Sequence, residues 1–124
     1  MADNAQLETF PNPHPKGDYR IEHHIHEFTS LCPITGQPDF ASMRISYVAN
    51  ADCIELRRLK QYLQTFRNQG VFYEDVTNII LNDLVSCCRP KWMVVTSEWS
   101  VRGGIHTVVT ARHGPAPAEA GDGT

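Results

Sequence analysis

The sequence predicts an α+β domain with two helices packed on one face of an antiparallel sheet, in the order β-β-α-α-β-β. Three observations carry this reading. Met43–Val48 and Trp92–Val101 alternate with period two, as strands do. Between them, two stretches repeat apolar residues at helical spacing. Arg102-Gly103-Gly104 then supplies a connection with positive-φ capacity between the last two strands.

In chain order, Ile21 to Phe28 reads as a short strand entering a loop rich in turn formers. Met43, Ile45 and Tyr47 share one face of the next strand, with Arg44, Ser46 and Val48 on the other. Asn50-Ala51-Asp52 is turn material, followed by a short Cys53-Ile54-Glu55 segment. Leu59, Tyr62, Leu63 and Phe66 form one face of a helix from Arg57 to Asn68, closed by Gly70. A second helix from Tyr73 to Cys87 buries Val76, Ile79, Ile80 and Leu84; Glu74 and Asp75 suit its positive N-terminal end, and Pro90 stops it. Trp92–Val101 presents Met93, Val95, Ser97, Trp99 and Val101 to one side, and Ile105–Ala111 returns. Residues 1–20 read as an N-terminal tail, 21–112 as one domain and 113–124 as a flexible C-terminal tail. A domain that small buries limited apolar area, and subunit association would add to it.

The net charge of -3 and the absence of any lysine or arginine run give no nucleic-acid footprint, so a small ligand is the expected partner. No apolar stretch reaches the roughly 20 residues that span a bilayer. The first residues, Met1-Ala2-Asp3-Asn4-Ala5-Gln6, lack the basic and apolar regions of a signal peptide, and the expected setting is cytoplasmic. Cys32, Cys53, Cys87 and Cys88 contain no Cys-x-x-Cys pair. His23, His24 and His26 with Cys32 are a conceivable zinc set, but polar positions on an edge strand explain them more simply, and no metal is assigned.

The most informative residue is Cys32, within Phe28-Thr29-Ser30-Leu31-Cys32-Pro33-Ile34-Thr35-Gly36-Gln37-Pro38-Asp39-Phe40. Pro33, Gly36 and Pro38 keep this stretch out of regular helix and out of a central strand, so one sulfur and one carboxyl group are offered from a stiff loop. A thiol nucleophile with a nearby proton donor is one reading; a buried, inert cysteine is the other. Arg57-Arg58-Leu59-Lys60 is either a solvated helix face or, with Arg102, an anion-capturing group. Glu74 either complements the helix dipole or accepts from the adjacent N–H donors of a guanine-like base.

Taken together, Glu27-Phe28-Thr29-Ser30-Leu31-Cys32-Pro33, Thr35-Gly36-Gln37-Pro38-Asp39-Phe40, Tyr62-Leu63 with Phe66-Arg67-Asn68, and Val101-Arg102-Gly103-Gly104-Ile105 closely resemble the short, single-module NADPH-dependent 7-cyano-7-deazaguanine reductases of queuosine biosynthesis, a tRNA-modification pathway. The likeness runs from Pro11-Asn12-Pro13 through Arg112-His113-Gly114. It implies the tunnelling fold, in which such subunits join into an oligomeric barrel with active sites between them, here a ring oligomer of two stacked pentamers. It implies reduction of a nitrile to a primary amine with two NADPH. By this similarity Cys32 forms a covalent thioimide and Asp39 is the general acid. Glu74 would anchor the base, with Tyr73 beside it and Ile54-Glu55-Leu56 lining the pocket, while Arg57, Lys60 and Arg102 match phosphate-holding positions.

Several positions depart from the family pattern. Tyr73 stands where the family often has histidine, and a phenol does not titrate near neutrality. Arg57 replaces a lysine and keeps its charge; Arg58 replaces a small residue, and Gln61 an apolar residue or tyrosine. Arg58 either grips phosphate or crowds the cofactor. Three other readings share parts of this pattern: an amidine-forming enzyme acting on deazaguanine in tRNA through the same thioimide, a zinc-dependent pterin-forming cyclohydrolase of the same fold, and a deazapurine-binding module with impaired cofactor use.

Overall fold

The computed structural model describes residues 6–118. Its elements are β1 (Thr9–Pro11), β2 (Ile21–Leu31), β3 (Pro38–Val48), β4 (Asp52–Ile54), α1 (Leu56–Gln64), α2 (Tyr73–Cys88), β5 (Trp92–Trp99) and β6 (Val108–His113). The main sheet has the order β2-β3-β5-β6 and is antiparallel throughout. Both helices pack on one face, α2 across β5 and β6 and α1 toward β2.

That face is built by alternation. Asp39, Ala41, Met43, Ile45 and Tyr47 are all buried along β3, opposite Trp99, Ser97, Val95 and Met93 of β5. The strand begins earlier than its clear alternation suggests. Pro38 is tolerated because it is the first residue of the strand. Outward-pointing Phe40 remains exposed and hides the alternation of Asp39 and Ala41 from a sequence reading. The stretch from Phe28 to Phe40, expected to stay out of a central strand, is reduced to a loop of residues 32–37, and Asp39 lies on a central strand.

Strand β2 contains a bulge. Ile25 pairs with Met43 and Phe28 with Ala41, so three residues on β2 span two on β3. The extra residue changes the parity of the inward face, from Ile21, His23 and Ile25 to Phe28 and Ser30. Phe28 thereby enters the core, within 5.8 Å of the Phe66 ring and 6.0 Å of Trp99. Burying each of these large rings contributes roughly 1.5–3 kcal/mol. Before the bulge, His23 and His24 point to opposite faces, which separates the side chains of the considered metal set.

Helix α1 is shorter than expected. After Gln64 the amides of Thr65, Phe66 and Arg67 bond three residues back, a tightened end that still leaves Phe66 fully buried. Helix α2 ends on Arg89, whose φ of 47° is a left-handed cap before Pro90. On the opposite sheet face, Val48, Trp92 and Val94 form a separate small apolar cluster.

The stretch read as an N-terminal tail contributes structure. Thr9–Pro11 pairs antiparallel with β4, Leu7 joins the core, and Asn12 is buried. Three paired residues are too few for periodicity to reveal, so backbone pairing decided this segment. The C-terminal strand runs to His113, one residue past the expected boundary; the ends of both expected tails, residues 1–5 and 119–124, lie outside the described residues.

Candidate active site

The β2–β3 hairpin brings thiol and acid together. Leu31 pairs with Pro38; the Cys32 amide donates to Gln37 O at 2.8 Å, and the Gly36 amide to Cys32 O at 2.8 Å. The seven-residue separation seen in the sequence is therefore the length of a closed hairpin loop. A second tether holds the loop from below: Leu31 N donates to Gln69 O at 2.9 Å, and Val71 N to Leu31 O at 3.0 Å. Gly70 lies between these bonds, where an added Cβ would sit 3.3 Å from Pro33 Cα. The close approach of two backbones explains glycine there.

Cys32 is half-buried and free. The Thr35 hydroxyl, then the backbone N–H groups of Thr35 and Ile34, hold its thiol below the ordinary value, with burial and the Asp39 charge opposing them. Hydrogen bonds to the sulfur favour the thiolate, which is the nucleophilic form.

Asp39 is 4% exposed and accepts from two donors, both at Oδ1. One is Tyr73 Oη at 3.2 Å; the other is Arg102 Nη1, an ion pair with the buried carboxylate. Arg102 also donates to Pro38 O and Gln37 Oε1, at 3.4 and 3.3 Å. It is delivered by a two-residue hairpin turn in which Gly103 and Gly104 have φ of 57° and 78°, closed by reciprocal Arg102–Ile105 backbone bonds. Arg102, which the family resemblance grouped with the phosphate-holding cations, thus sits at the acid. Burial, then the Asp39 carboxylate, raises the Tyr73 phenol above its ordinary value.

The other named residues divide. Ile54 is buried in the core, its amide donating to Tyr47 Oη at 3.0 Å. Glu55 caps α1, its two carboxylate oxygens accepting from Arg57 N and Arg58 N at 2.9 and 3.0 Å. Those bonds, Arg57 first, hold its carboxyl below the ordinary value. Leu56 is exposed and, with Lys60, Arg67, His23 and His24, lines a groove of about 480 Å³ between β2 and α1. Arg57 is solvent-facing, and Glu74 is exposed in the first turn of α2 beside Tyr73. Arg58 is occupied elsewhere: it pairs with Glu8 at 3.2 Å and donates to Gln61 at 3.3 Å. Two of the family departures, Arg58 and Gln61, therefore hydrogen-bond to each other, while Arg58 Nε is buried without a partner among the described residues.

The sequence reading did not single out Thr35 at the sulfur or Trp99 beneath Tyr73, and it took Gly70 as the closing residue of the first helix, whereas the helix ends at Gln64 and Gly70 lies under the loop. The alternation placed Trp99 on the same side of its strand as Met93, Val95 and Ser97, but nothing in a one-dimensional pattern shows that it meets Tyr73. Among the described residues no group of three or more His, Cys, Asp or Glu side chains could hold a metal ion.

The QueF-like protein family matches residues 38–118. A protein of Anaeromyxobacter sp. (strain K), named NADPH-dependent 7-cyano-7-deazaguanine reductase, is 55% identical over 115 residues, 93% of this chain and 94% of its own. Relatives of the same name from Nitrosococcus oceani and Magnetococcus marinus are 53% and 54% identical over 110 and 109 residues, covering 89% and 88% of this chain and 85% of each relative. Among solved structures, the apo form of an archaeosine synthase QueF-Like superposes with a TM-score of 0.74 at 19% identity, covering 82% of this chain and 99% of that one; this likeness establishes the tunnelling fold of the subunit. With its thiol-and-acid hairpin and relatives matched over nearly their whole length, the chain belongs to the QueF-like family of NADPH-dependent 7-cyano-7-deazaguanine reductases.

Proposed function

We propose that this protein reduces 7-cyano-7-deazaguanine to 7-aminomethyl-7-deazaguanine, consuming two NADPH per nitrile, in queuosine biosynthesis. The observation that carries the reading is the hairpin that sets a hydrogen-bonded, acidified thiol beside a buried carboxyl group. The Cys32 thiolate adds to the nitrile carbon while Asp39 delivers a proton to nitrogen, giving a thioimide. After the first reduction the C–S bond breaks and Cys32 leaves as thiolate; the resulting imine is reduced to the amine. Two hydrides and two protons are taken up, which balances the four-electron change. Covalent attachment helps because a protonated thioimide is a far better electrophile than a nitrile.

NADPH, when bound, supplies the hydride. The β2–α1 groove fits such a ligand: Leu56, Leu59 and Leu63 give apolar wall, and Lys60 and Arg67 give cations for phosphate. Arg57 stands exposed on the same helix. We assign Glu74 and Tyr73 to the base, with Leu56 at the pocket edge. Ile54 acts from the core, and Glu55 acts by fixing the helix start through its cap.

We further propose that 21–112 forms the reductase unit and that subunits join into a ring, two pentamers stacked as a decamer. Strands β2 and β6 are the outer strands of the main sheet, and Phe40, Val101, Ile105 and Val108 are exposed apolar residues that association would cover. A cytoplasmic setting suits a mechanism that needs Cys32 reduced. No helix among the described residues is long and apolar enough to cross a membrane.

The test is NADPH absorbance after addition of 7-cyano-7-deazaguanine, with intact-protein mass spectrometry alongside. Loss of two NADPH per nitrile, and an adduct absent from Cys32→Ala, are expected. Adduct without NADPH loss would favour amidine formation or a binding module, and absence of both would refute the assignment.

A further inference from the structure

A closed loop of contacts lies behind the acid, and the reaction as written above does not use it. Ser97 on β5 and Thr77 on α2 are completely buried hydroxyl residues among apolar neighbours. The Trp99 indole N–H donates to Ser97 Oγ at 2.9 Å, Ser97 and Thr77 share a hydrogen bond of 2.6 Å, and Thr77 Oγ1 donates to Tyr73 O at 2.8 Å. An indole can only donate and a carbonyl can only accept. The direction is therefore fixed: Trp99 to Ser97, Ser97 to Thr77, Thr77 to Tyr73. Each hydroxyl donates once and accepts once, so the chain has no loose end.

The loop closes through the rings. Tyr73 lies flat on Trp99, centroids 4.0 Å apart and planes within 10°. Aromatic pairs left to themselves prefer offset or edge-on arrangements. A parallel stack this close is explained by the hydrogen bonds that tether both partners. Tyr73 is thus held at its carbonyl by Thr77 and at its ring by Trp99, which leaves its hydroxyl aimed at Asp39 Oδ1. Arg102 reaches the same oxygen, and Oδ2 has no hydrogen-bond partner among the described residues.

We propose that Trp99, Ser97 and Thr77 are positioning residues whose loop sets the Tyr73 phenol on Asp39 Oδ1, so that the proton Asp39 delivers is carried on Oδ2. This rests on the reduction proposed above, and it gives a role to Tyr73 beyond contact with the base. With Oδ1 occupied by a phenol and a guanidinium, both of them donors, protonation at Oδ2 is the arrangement that leaves every donor an acceptor. The loop then acts on proton delivery through the Tyr73 phenol and makes no contact with Glu74, the other group assigned to the base.

The test is a double-mutant cycle read by the rate of thioimide formation with 7-cyano-7-deazaguanine. Thr77→Val removes the hydroxyl at similar size; Thr77→Ser keeps it. Thr77→Val should slow adduct formation by about tenfold, a fraction of the 10²–10⁴ attributed to general acids, and Thr77→Ser should stay near wild type. The dissociation constant for the nitrile, held mainly by Glu74, should change by no more than about twofold, well short of the effect on rate. In a Tyr73→Phe background, Thr77→Val should cause no further loss, because the phenol through which it acts is gone. Equal fractional losses in both backgrounds would overturn the proposal and mark Thr77 as a packing residue only. If Thr77→Val does not fold, Ser97→Ala in the same two backgrounds gives the same comparison. A wild-type chain that forms no adduct overturns the reduction itself and the positioning role with it; adduct without coupling overturns the positioning role alone.

Discussion

Replacing Gly70 by alanine isolates the effect of thiol placement. The glycine has no positive φ, so alanine fits its backbone, and by restricting the unfolded chain would stabilise by roughly 0.4–1 kcal/mol if space were free. Space is not free. The new Cβ lies 3.3 Å from Pro33 Cα, whereas carbon atoms pack best at about 3.5–4.0 Å. Gly70 cannot retreat, because the bonds Leu31 N to Gln69 O and Val71 N to Leu31 O bracket it. Pro33 must therefore move outward by roughly 0.2–0.7 Å, carrying the adjacent Cys32. Misplacement of about 1 Å costs about 10²-fold in rate, so a shift of this size predicts a loss of about three- to twentyfold. Opposing strain and entropy leave net stability within about 1 kcal/mol of wild type. The assay is adduct formation by intact mass against time, with iodoacetamide alkylation of Cys32 as control. Alkylation makes no demand on alignment and should proceed at the wild-type rate. Wild-type adduct kinetics in a folded variant, or loss of more than about 3 kcal/mol of stability, would refute this reasoning.

Four other outcomes follow from the structure. Thr35→Val removes the largest contribution to the acidified thiol, so the pH profile of Cys32 alkylation should move to higher pH; an unmoved profile would take Thr35 off the sulfur. His23 is held below its ordinary value by burial first and by His24 second, so the unfolded state binds more protons near that value. Stability should accordingly fall as pH drops from about 7.5 to about 5.5, and His23→Gln should flatten that slope in denaturant titrations. Lys60→Ala should raise the KM for NADPH by about tenfold, a lost phosphate contact, whereas Arg58→Ala should leave it within about twofold because Arg58 is engaged by Glu8 and Gln61; the reverse order would reassign the phosphate site. Tyr62→Phe deletes a hydrogen bond of 2.6 Å from a fully buried phenol to Asp83, and should cost about 1.5–3 kcal/mol by chemical denaturation.

Periodicity alone determined the fold class, the two helices and their buried faces, because those helices are amphipathic over several turns. It separated the two sides of β5 without showing which faces inward, since Trp92 and Val94 on the other side are buried too. Motif resemblance supplied the family and the pairing of Cys32 with Asp39. Elements without a repeating pattern escaped. Strand β1 is three residues long and is fixed by its ladder with β4, and the β2 bulge is a one-residue parity change that a sequence pattern cannot distinguish from irregular loop. Side-chain partners across elements were also decided only in three dimensions. The family resemblance places Glu55 in the pocket and leaves Arg58 either gripping phosphate or crowding the cofactor, yet in the structure a helix N-terminus engages Glu55 and Glu8 with Gln61 engages Arg58. Arg102 is grouped with Arg57 and Lys60 by charge, but its hairpin turn delivers it to Asp39. The physical reason is common to these cases: sequence records which groups are available and on which face, whereas long-range packing determines which donor meets which acceptor.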